Sequence, residues 1–357
     1  MSATGLAAAR ADAPEPAAPA ASGGSMWAAA RRRLLRTPSF FAGAALTGIV
    51  VIACLLAPVY ADVVAHTGPN RNHLTETVHV GGRSLPVVTP GGTRVVDGQL
   101  VLTPGGVPLG PQWLAAGGRY VLGADDNGRD VAVRLLYGGR TSLLISFAAT
   151  SLCMLIALTL ALVAGFRGGW IDAIVSRTLD VVWAFPVILL GVVLGTSLAV
   201  SGFHRFGISI ESGSLLAPIL VIAYAMVPYV ARPLRGEVIS LKQNEYVESA
   251  RAIGAGPLRI MAGELLPNVA STAVVLFAVA FSTDVLFEAS LSFLGAGVQP
   301  PAASWGTLIA EGAERIETAP WLALVPGVAM VATTLGVSLI ADALRDAFDP
   351  RARRRAR

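Results

Sequence analysis

Long apolar runs separated by short polar segments set the pattern of this chain. The runs fall at about 39–61, 141–166, 181–202, 214–231, 270–290 and 320–342. Each approaches the roughly 20 residues needed to cross the hydrocarbon of a bilayer. They predict six transmembrane helices and an all-α polytopic membrane protein. The third run is preceded by Asp180 and contains Pro186, which predicts a kink. Six crossings leave both ends of the chain on one side.

Between the fourth and fifth runs lies a polar, helix-rich stretch, Asn244 to Asn268. Glu245, Glu248, Arg251, Arg259 and Glu264 keep it out of the bilayer, since each charge at the centre costs roughly 2.5–3.5 kcal/mol. Asn244 suits a helix cap, and Glu245 and Glu248 suit the positive end of that helix. Tyr246, Ala250 and Ile253 recur at i, i+4 and i+7 as one narrow apolar stripe. Gly254 stops the helix, and Gly256-Pro257 opens a second, short one with proline in its favoured first position. The pattern predicts a helix–turn–helix knuckle outside the membrane with a stripe that needs a partner.

The stretch between the first two runs is different. Thr77-Val78-His79-Val80 and Gln99-Leu100-Val101-Leu102-Thr103 are alternating or β-branched and are bounded by Gly-Gly and Pro-Gly pairs, which predicts a small β-hairpin-containing element. Residues 1–37 open with an Ala/Pro/Gly/Ser tract that cannot bury a core and is expected to be disordered. The first apolar run comes too late and is too long for a cleavable leader. From Gly123, Asp130 is placed to cap a short helix on the outer face, carrying Val131, Leu135 and Leu136 on one side, before the second span begins.

The composition agrees: 54% hydrophobic, 14% charged and a mean hydropathy of +0.63, against about 25% charge in a soluble domain. The 27 basic residues flank apolar runs and form no single patch, so nucleic acid is a poor partner. Arg31, Arg32, Arg33 and Arg36 precede the first run, whereas the short loops assigned to the outside carry only Arg205 and Arg315. The positive-inside rule therefore places both termini in the cytoplasm. Cys54 and Cys153 lie within apolar runs as buried thiols. His66, His73, His79 and His204 are too scattered for a metal site. An intramembrane protease is disfavoured: the sole lysine, Lys242, lies in a loop, no histidine lies in a span, and no HExxH motif occurs. A secondary transporter would not explain the knuckle, and no internal repeat is evident.

Specific motifs carry a resemblance. Glu248-Ser249-Ala250, Gly254 and Leu266-Pro267 resemble the EAA loop of ABC-transporter permeases, with Ser249 in place of alanine and Glu264 where many members carry isoleucine. Asp125, Gly128, Arg129, Asp130, Arg134, Tyr137, Gly138, Arg140, Ser142 and Leu143 match a landmark of peptide/nickel-type permeases, with Ala124 in place of threonine. Gly165 to Trp170, Asp180 with Pro186, Leu291 to Gly295, Pro300-Pro301, Ser304-Trp305-Gly306, Ala319-Pro320-Trp321 and Leu344 to Arg351 match others. Over residues 120–357 the chain resembles the C-type permease of dipeptide, oligopeptide and nickel importers.

The resemblance implies a type I importer-like fold with a β-containing extracytoplasmic insertion. The expected organisation is a disordered cytoplasmic tail 1–37, a first helix 38–61 and an insertion 62–122. A core 123–345 with five helices and a coupling loop 232–268 follows, then a basic cytoplasmic tail 346–357. It implies a bacterial inner-membrane subunit that imports a small solute, peptide or nickel, by alternating access. Implied partners are a homologous permease, two ATPase subunits, an extracytoplasmic solute-binding protein and membrane lipid. No P-loop is present, so ATP and magnesium are expected on the ATPase chains, with no cofactor, metal or catalytic residue here. The ATPase contact is expected at Tyr246, Glu248, Ser249, Ala250, Ile253, Gly254, Leu266 and Pro267. Asp180, Pro186, Asp284 and Glu288 are pathway or gate candidates. Asp284 and Glu288 share a helix face; facing the pathway and pairing with Arg or Ser/Thr stay open as alternatives. Asp125, Gly128, Arg129, Asp130 and Arg140 form an extracytoplasmic motif, either a salt-bridge network or docking surface, or a clamp for the interfacial helix.

Overall fold

The computed structural model describes residues 23–80, 82–96, 99–103, 105–113, 119–205 and 208–348. Among these, five helices are long and apolar enough to cross a membrane, and a bent pair makes a sixth crossing if counted as one. Helix α1 (Gly23–Leu34) leads into α2 (Pro38–Leu55), which has proline in its first turn. A three-residue α3 (Ala57–Val59) and a π-helical turn (Tyr60–Ala65) follow, ending at His66.

Residues 1–22 of the expected disordered tail lie outside the described residues, but 23–34 are helical. Arg31, Arg32 and Arg33 sit in the last turn, where cations offset the negative helix end. Trp27 meets Phe348 edge to face at 5.0 Å, so the tail gains a tertiary anchor that composition does not reveal.

Two antiparallel hairpins follow, β1 (Thr77–Val80) with β2 (Arg83–Pro86) and β3 (Gly92–Val96) with β4 (Gln99–Thr103). Val78, Val87, Leu109, Tyr120 and Ala124 form a small separate core beneath them. A third hairpin, β5 (Phe203–Arg205) with β6 (Ile208–Ile210), lies between the third and fourth spans and was not anticipated.

Helix α4 (Val131–Arg167) is one continuous rod of 37 residues. This corrects the expected short outer helix followed by a separate span. Asp130 does cap the start, accepting from Ala132 N and Val133 N at 2.8 and 3.2 Å. Gly138 and Gly139 do not interrupt the rod, because they serve as close-contact points: a Cβ on Gly139 would strike Cys54 Sγ and the Trp305 ring. At 1.5 Å per residue α4 is about 55 Å long, so its ends project beyond a hydrocarbon layer of about 30 Å.

Helices α5 (Gly169–Trp183) and α6 (Val187–Ser201) meet at an 84° bend. Pro186 ends the break as the N-cap of α6. The kink was predicted, but helix begins at 169, well before the expected 181. Helix α7 (Leu216–Leu241) contains Pro228 and Pro233 and packs along α4. Their shared core is built from Ala149, Cys153, Ala157 and Ala161 against Ile222, Met226, Val230 and Leu234, small residues on one side letting the rods approach.

After α8 (Glu245–Ala252), α9 (Pro257–Ile260) passes through a π-helical turn (Met261–Leu265) into α10 (Leu266–Phe293). The expected second short helix of the knuckle is thus the start of the fifth span, and Pro257–Phe293 forms one 37-residue crossing. No helix stop separates them: Leu266 stays helical, and Pro267, which brings no N–H to the ladder, follows directly on the π-helical turn. Helix α11 (Trp305–Ala313) starts with a Ser304/Thr307 capping box. Buried Trp305 ties it to α4, its backbone N–H donating to Ser142 Oγ at 3.0 Å and its indole N–H to the Leu135 carbonyl at 3.1 Å. Helix α12 (Trp321–Phe348) closes the bundle against α2 and α10. The expected tail from 346 is helical to Phe348, and Asp349, Pro350 and Arg351 lie outside the described residues.

Candidate functional site

The loop between α7 and α10 has the knuckle shape. Asn244 is the N-cap of α8 with extended backbone, but its side chain makes no capping bond; its carbonyl accepts from Val247 N and Glu248 N. The apolar stripe is also rearranged. Val247 and Ala250 are buried, Tyr246 packs half-buried against the main core, and Ile253, the C-cap, turns away. The expected trio is split because Ile253 lies where the helix ends, off the stripe's face. Ile253 is 82% and Leu258 77% exposed, and Gly254 between them adopts φ +86°. Glu248, Ser249 and Pro267 are exposed and Leu266 is half-buried. Arg251 and Lys242 both sit over the Phe166 ring, at 5.5 and 5.8 Å, holding the loop against the end of α4.

The helix break carries an ion pair and stacked rings. Arg232 on α7 donates to Asp180 on α5 at 2.6 Å and lies 4.2 Å over Trp183, which stacks on Tyr229 at 4.4 Å. Toward the loop, Arg235 pairs with Asp172, so two ion pairs staple α5 to α7. Beside them an apolar groove of about 380 Å³ is lined by Leu152, Ile156, Leu179, Val182, Leu220 and Tyr224, among others.

At the hairpin end, Asp125 Oδ1 accepts from Asn127 N and Arg129 N, both at 2.9 Å, and Oδ2 accepts from Arg129 Nε at 2.6 Å. Gly128, at φ +72°, presses against the His73 carbonyl, leaving no room for a side chain. Arg134, 1% exposed, donates to both Glu311 oxygens at 2.8 and 2.9 Å, and Arg129 reaches the same carboxylate at 3.1 Å. A cavity of about 420 Å³ opens beside this network. Asp130 instead bonds backbone amides, including Tyr120 N at 2.7 Å. Arg140 lies over Tyr137 at 5.6 Å. Sequence reasoning missed Glu311 and the central place of Arg134; the signal was Arg134 itself, a charge on the apolar side of α4.

Asp284 and Glu288 are completely buried. Thr150 Oγ1 donates to Asp284 Oδ2 at 2.6 Å, and Ser292 Oγ donates to Glu288 Oε1 at 2.7 Å. Asp284 thus pairs with a hydroxyl on a neighbouring helix and Glu288 with one on its own helix. His73 Nδ1 lies 2.7 Å from Glu76, and among the described residues no three His, Cys, Asp or Glu are grouped to hold a metal ion.

A rod-like bundle with a broken helix and an extramembrane knuckle is the framework of a transport permease. Residues 157–354 match the family described as binding-protein-dependent transport system inner membrane component. The chain is 37% identical over 229 residues to the dipeptide transport system permease protein DppC of Alkalihalophilus pseudofirmus, covering 64% of this chain and 71% of that one. It is 35% identical over 242 residues to the di/tripeptide transport system permease protein DppC of Pseudomonas aeruginosa, covering 68% and 76%. It is 37% identical over 230 residues to the glutathione transport system permease protein GsiD of Pectobacterium atrosepticum, covering 64% and 72%. The chain belongs to this family of inner-membrane permease subunits of ABC importers. It is a multi-pass inner-membrane protein whose family works with ATPase and binding-protein partners.

Proposed function

We propose that this permease carries di- and oligopeptides inward, as the names of its relatives indicate for those proteins. ATP with magnesium is hydrolysed on two separate ATPase chains, and a homologous permease completes the membrane pore as a heterodimer in the lipid bilayer. Both termini and the α7–α10 loop are cytoplasmic; the hairpin end faces the solute-binding protein. The observation that carries this reading is the pair of bare apolar side chains, Ile253 and Leu258, on a loop otherwise anchored through Val247 and Ala250. Such a ridge fits a groove on an ATPase. Closure of the ATPases on nucleotide then moves two such ridges, and rigid helices pass the motion to the spans.

The test is Gly254→Asp in the assembled complex. At φ +86° a side chain costs roughly 1–2 kcal/mol, and the new charge sits between the two apolar contacts. ATP-dependent uptake of labelled dipeptide should be lost and the ATPase should dissociate on purification. Normal uptake by this variant would sink the coupling role.

The insertion seats the binding protein in this scheme. Gly91 and Gly105 lie against each other at the base of the β3–β4 hairpin, so residues 92–104 can be excised with little strain. Capture of the binding protein should weaken while basal ATPase activity persists; unaltered capture would reject the assignment.

A further inference from the structure

Ser142, Ser146 and Thr150 recur at every fourth position of α4, and Asp284, Glu288 and Ser292 at every fourth position of α10. That spacing puts each trio on one helix face. The faces meet through the Thr150–Asp284 bond, and Ser142 stands beside Glu288. All six residues are 3% exposed or less. Three of their oxygens are buried without a hydrogen-bond partner among the described residues: Asp284 Oδ1, Glu288 Oε2 and Ser146 Oγ.

No basic side chain among the described residues forms an ion pair with either acid: the ten ion pairs involve other carboxylates. The helices packed on α10 are α4, α6, α7, α11 and α12. They bring Cys153 of α4 within electrostatic reach of Asp284. Arg134, toward the hairpin end, pairs with Glu311 and Asp125.

Two carboxylates one turn apart, each with a single hydroxyl donor and no ion-pair partner among the described residues, keep much of their desolvation cost. Protonating both removes the charge, but each new O–H then needs a hydroxyl oxygen such as Ser146 Oγ as its acceptor. A cation ligated by the three free oxygens removes the charge and uses every idle lone pair. Carboxylate and hydroxyl oxygens are hard ligands that suit sodium, magnesium or calcium.

We propose that the α4–α10 interface holds a small hard cation, ligated by Asp284, Glu288 and Ser146, with Thr150 and Ser292 orienting the carboxylates. A divalent ion matches two ionised carboxylates, and sodium matches one ionised and one protonated. Its occupancy sets how tightly α4 grips the rod that begins in the loop.

The purified complex is exchanged into choline chloride with chelator, and its Tm is followed on adding sodium, potassium, magnesium or calcium at constant ionic strength and at two pH values. One of sodium, magnesium or calcium should raise Tm saturably, as a ligand of the folded state must, and the effective ion names the source. The rise should vanish in Asp284→Asn and shrink in Ser146→Ala, which removes one ligand without touching charge. A Tm indifferent to all cations, one that responds to pH alone, or a rise retained in both variants would overturn the assignment.

Discussion

Arg134 shows what a single residue decides here. It is a charge at 1% exposure whose guanidinium joins Glu311 on α11 and lies 3.4 Å from Asp125. Removing Arg134 leaves Asp125, 7% exposed, and Glu311, 41% exposed, with Arg129 alone, and because water reaches Glu311 the loss is smaller than the roughly 3–5 kcal/mol of a fully buried pair. Arg134→Leu should therefore lower the Tm of the complex. Arg134→Lys should restore little, because one ammonium cannot meet Glu311 and Asp125 together as the separate Nη2 and Nε of the guanidinium do. A Tm equal to wild type for either variant would show that the network carries no stability. In the hairpin region, the hydrogen bond and charge of Arg119 hold the Glu76 carboxyl below its ordinary value of 4.5, with His73 adding to the effect. A carboxyl depressed in the folded state binds fewer protons there than when unfolded. Its contribution is complete above the unfolded value and disappears as pH falls through the folded one. Amide protection in Thr77–Val80 should drop below about pH 4.5, and Glu76→Gln should start lower and lose the dependence.

At the scale of elements, the sequence was informative wherever a local pattern sufficed. Apolar runs of the right length marked the five long helices and the bent pair α5–α6, and the polar stretch with Gly254 and Pro257 marked the knuckle. Hairpins β1–β2 and β3–β4 followed from alternation between glycine pairs. What was not legible depends on neighbours. The expected boundary between a short helix after Asp130 and a span from 141 does not exist, and Gly138-Gly139 is instead the place where α4 meets Ser304, Trp305 and Cys54. Ile253 belongs to a helical stripe by spacing, yet the helix ends before it can point inward. The hydroxyl that bonds Asp284 comes from α4, 134 residues away, and no local periodicity reports it, whereas Glu288 pairs with Ser292 one turn along its own helix. The close approach at Gly139 gives a direct check. Gly139→Val would overpack the α2–α4–α11 junction at a cost of about 1–3 kcal/mol, seen as a lower Tm and reduced membrane yield, with Gly139→Ala intermediate.

For the whole molecule, the useful distinction is between parts that are fastened and parts left bare. Ion pairs staple α5 to α7, Trp305 locks α11 to α4, and Arg134 joins α4 to Glu311. The bare parts are the Ile253–Leu258 ridge and the apolar faces beside the α5–α6 bend, where Val181, Phe185, Ile188 and Leu189 stand 49–62% exposed.

The loop's second helix and the fifth span are one piece of chain, Pro257 to Phe293, about 55 Å from end to end at 1.5 Å per residue. Such a piece behaves as a lever arm. A swing of about ten degrees about its Pro257 tip displaces the opposite tip by about 10 Å, several times the width of one hydrogen bond. The π-helical turn at Met261–Leu265 is the only weak joint along that arm among the described residues, so any lost motion should gather there.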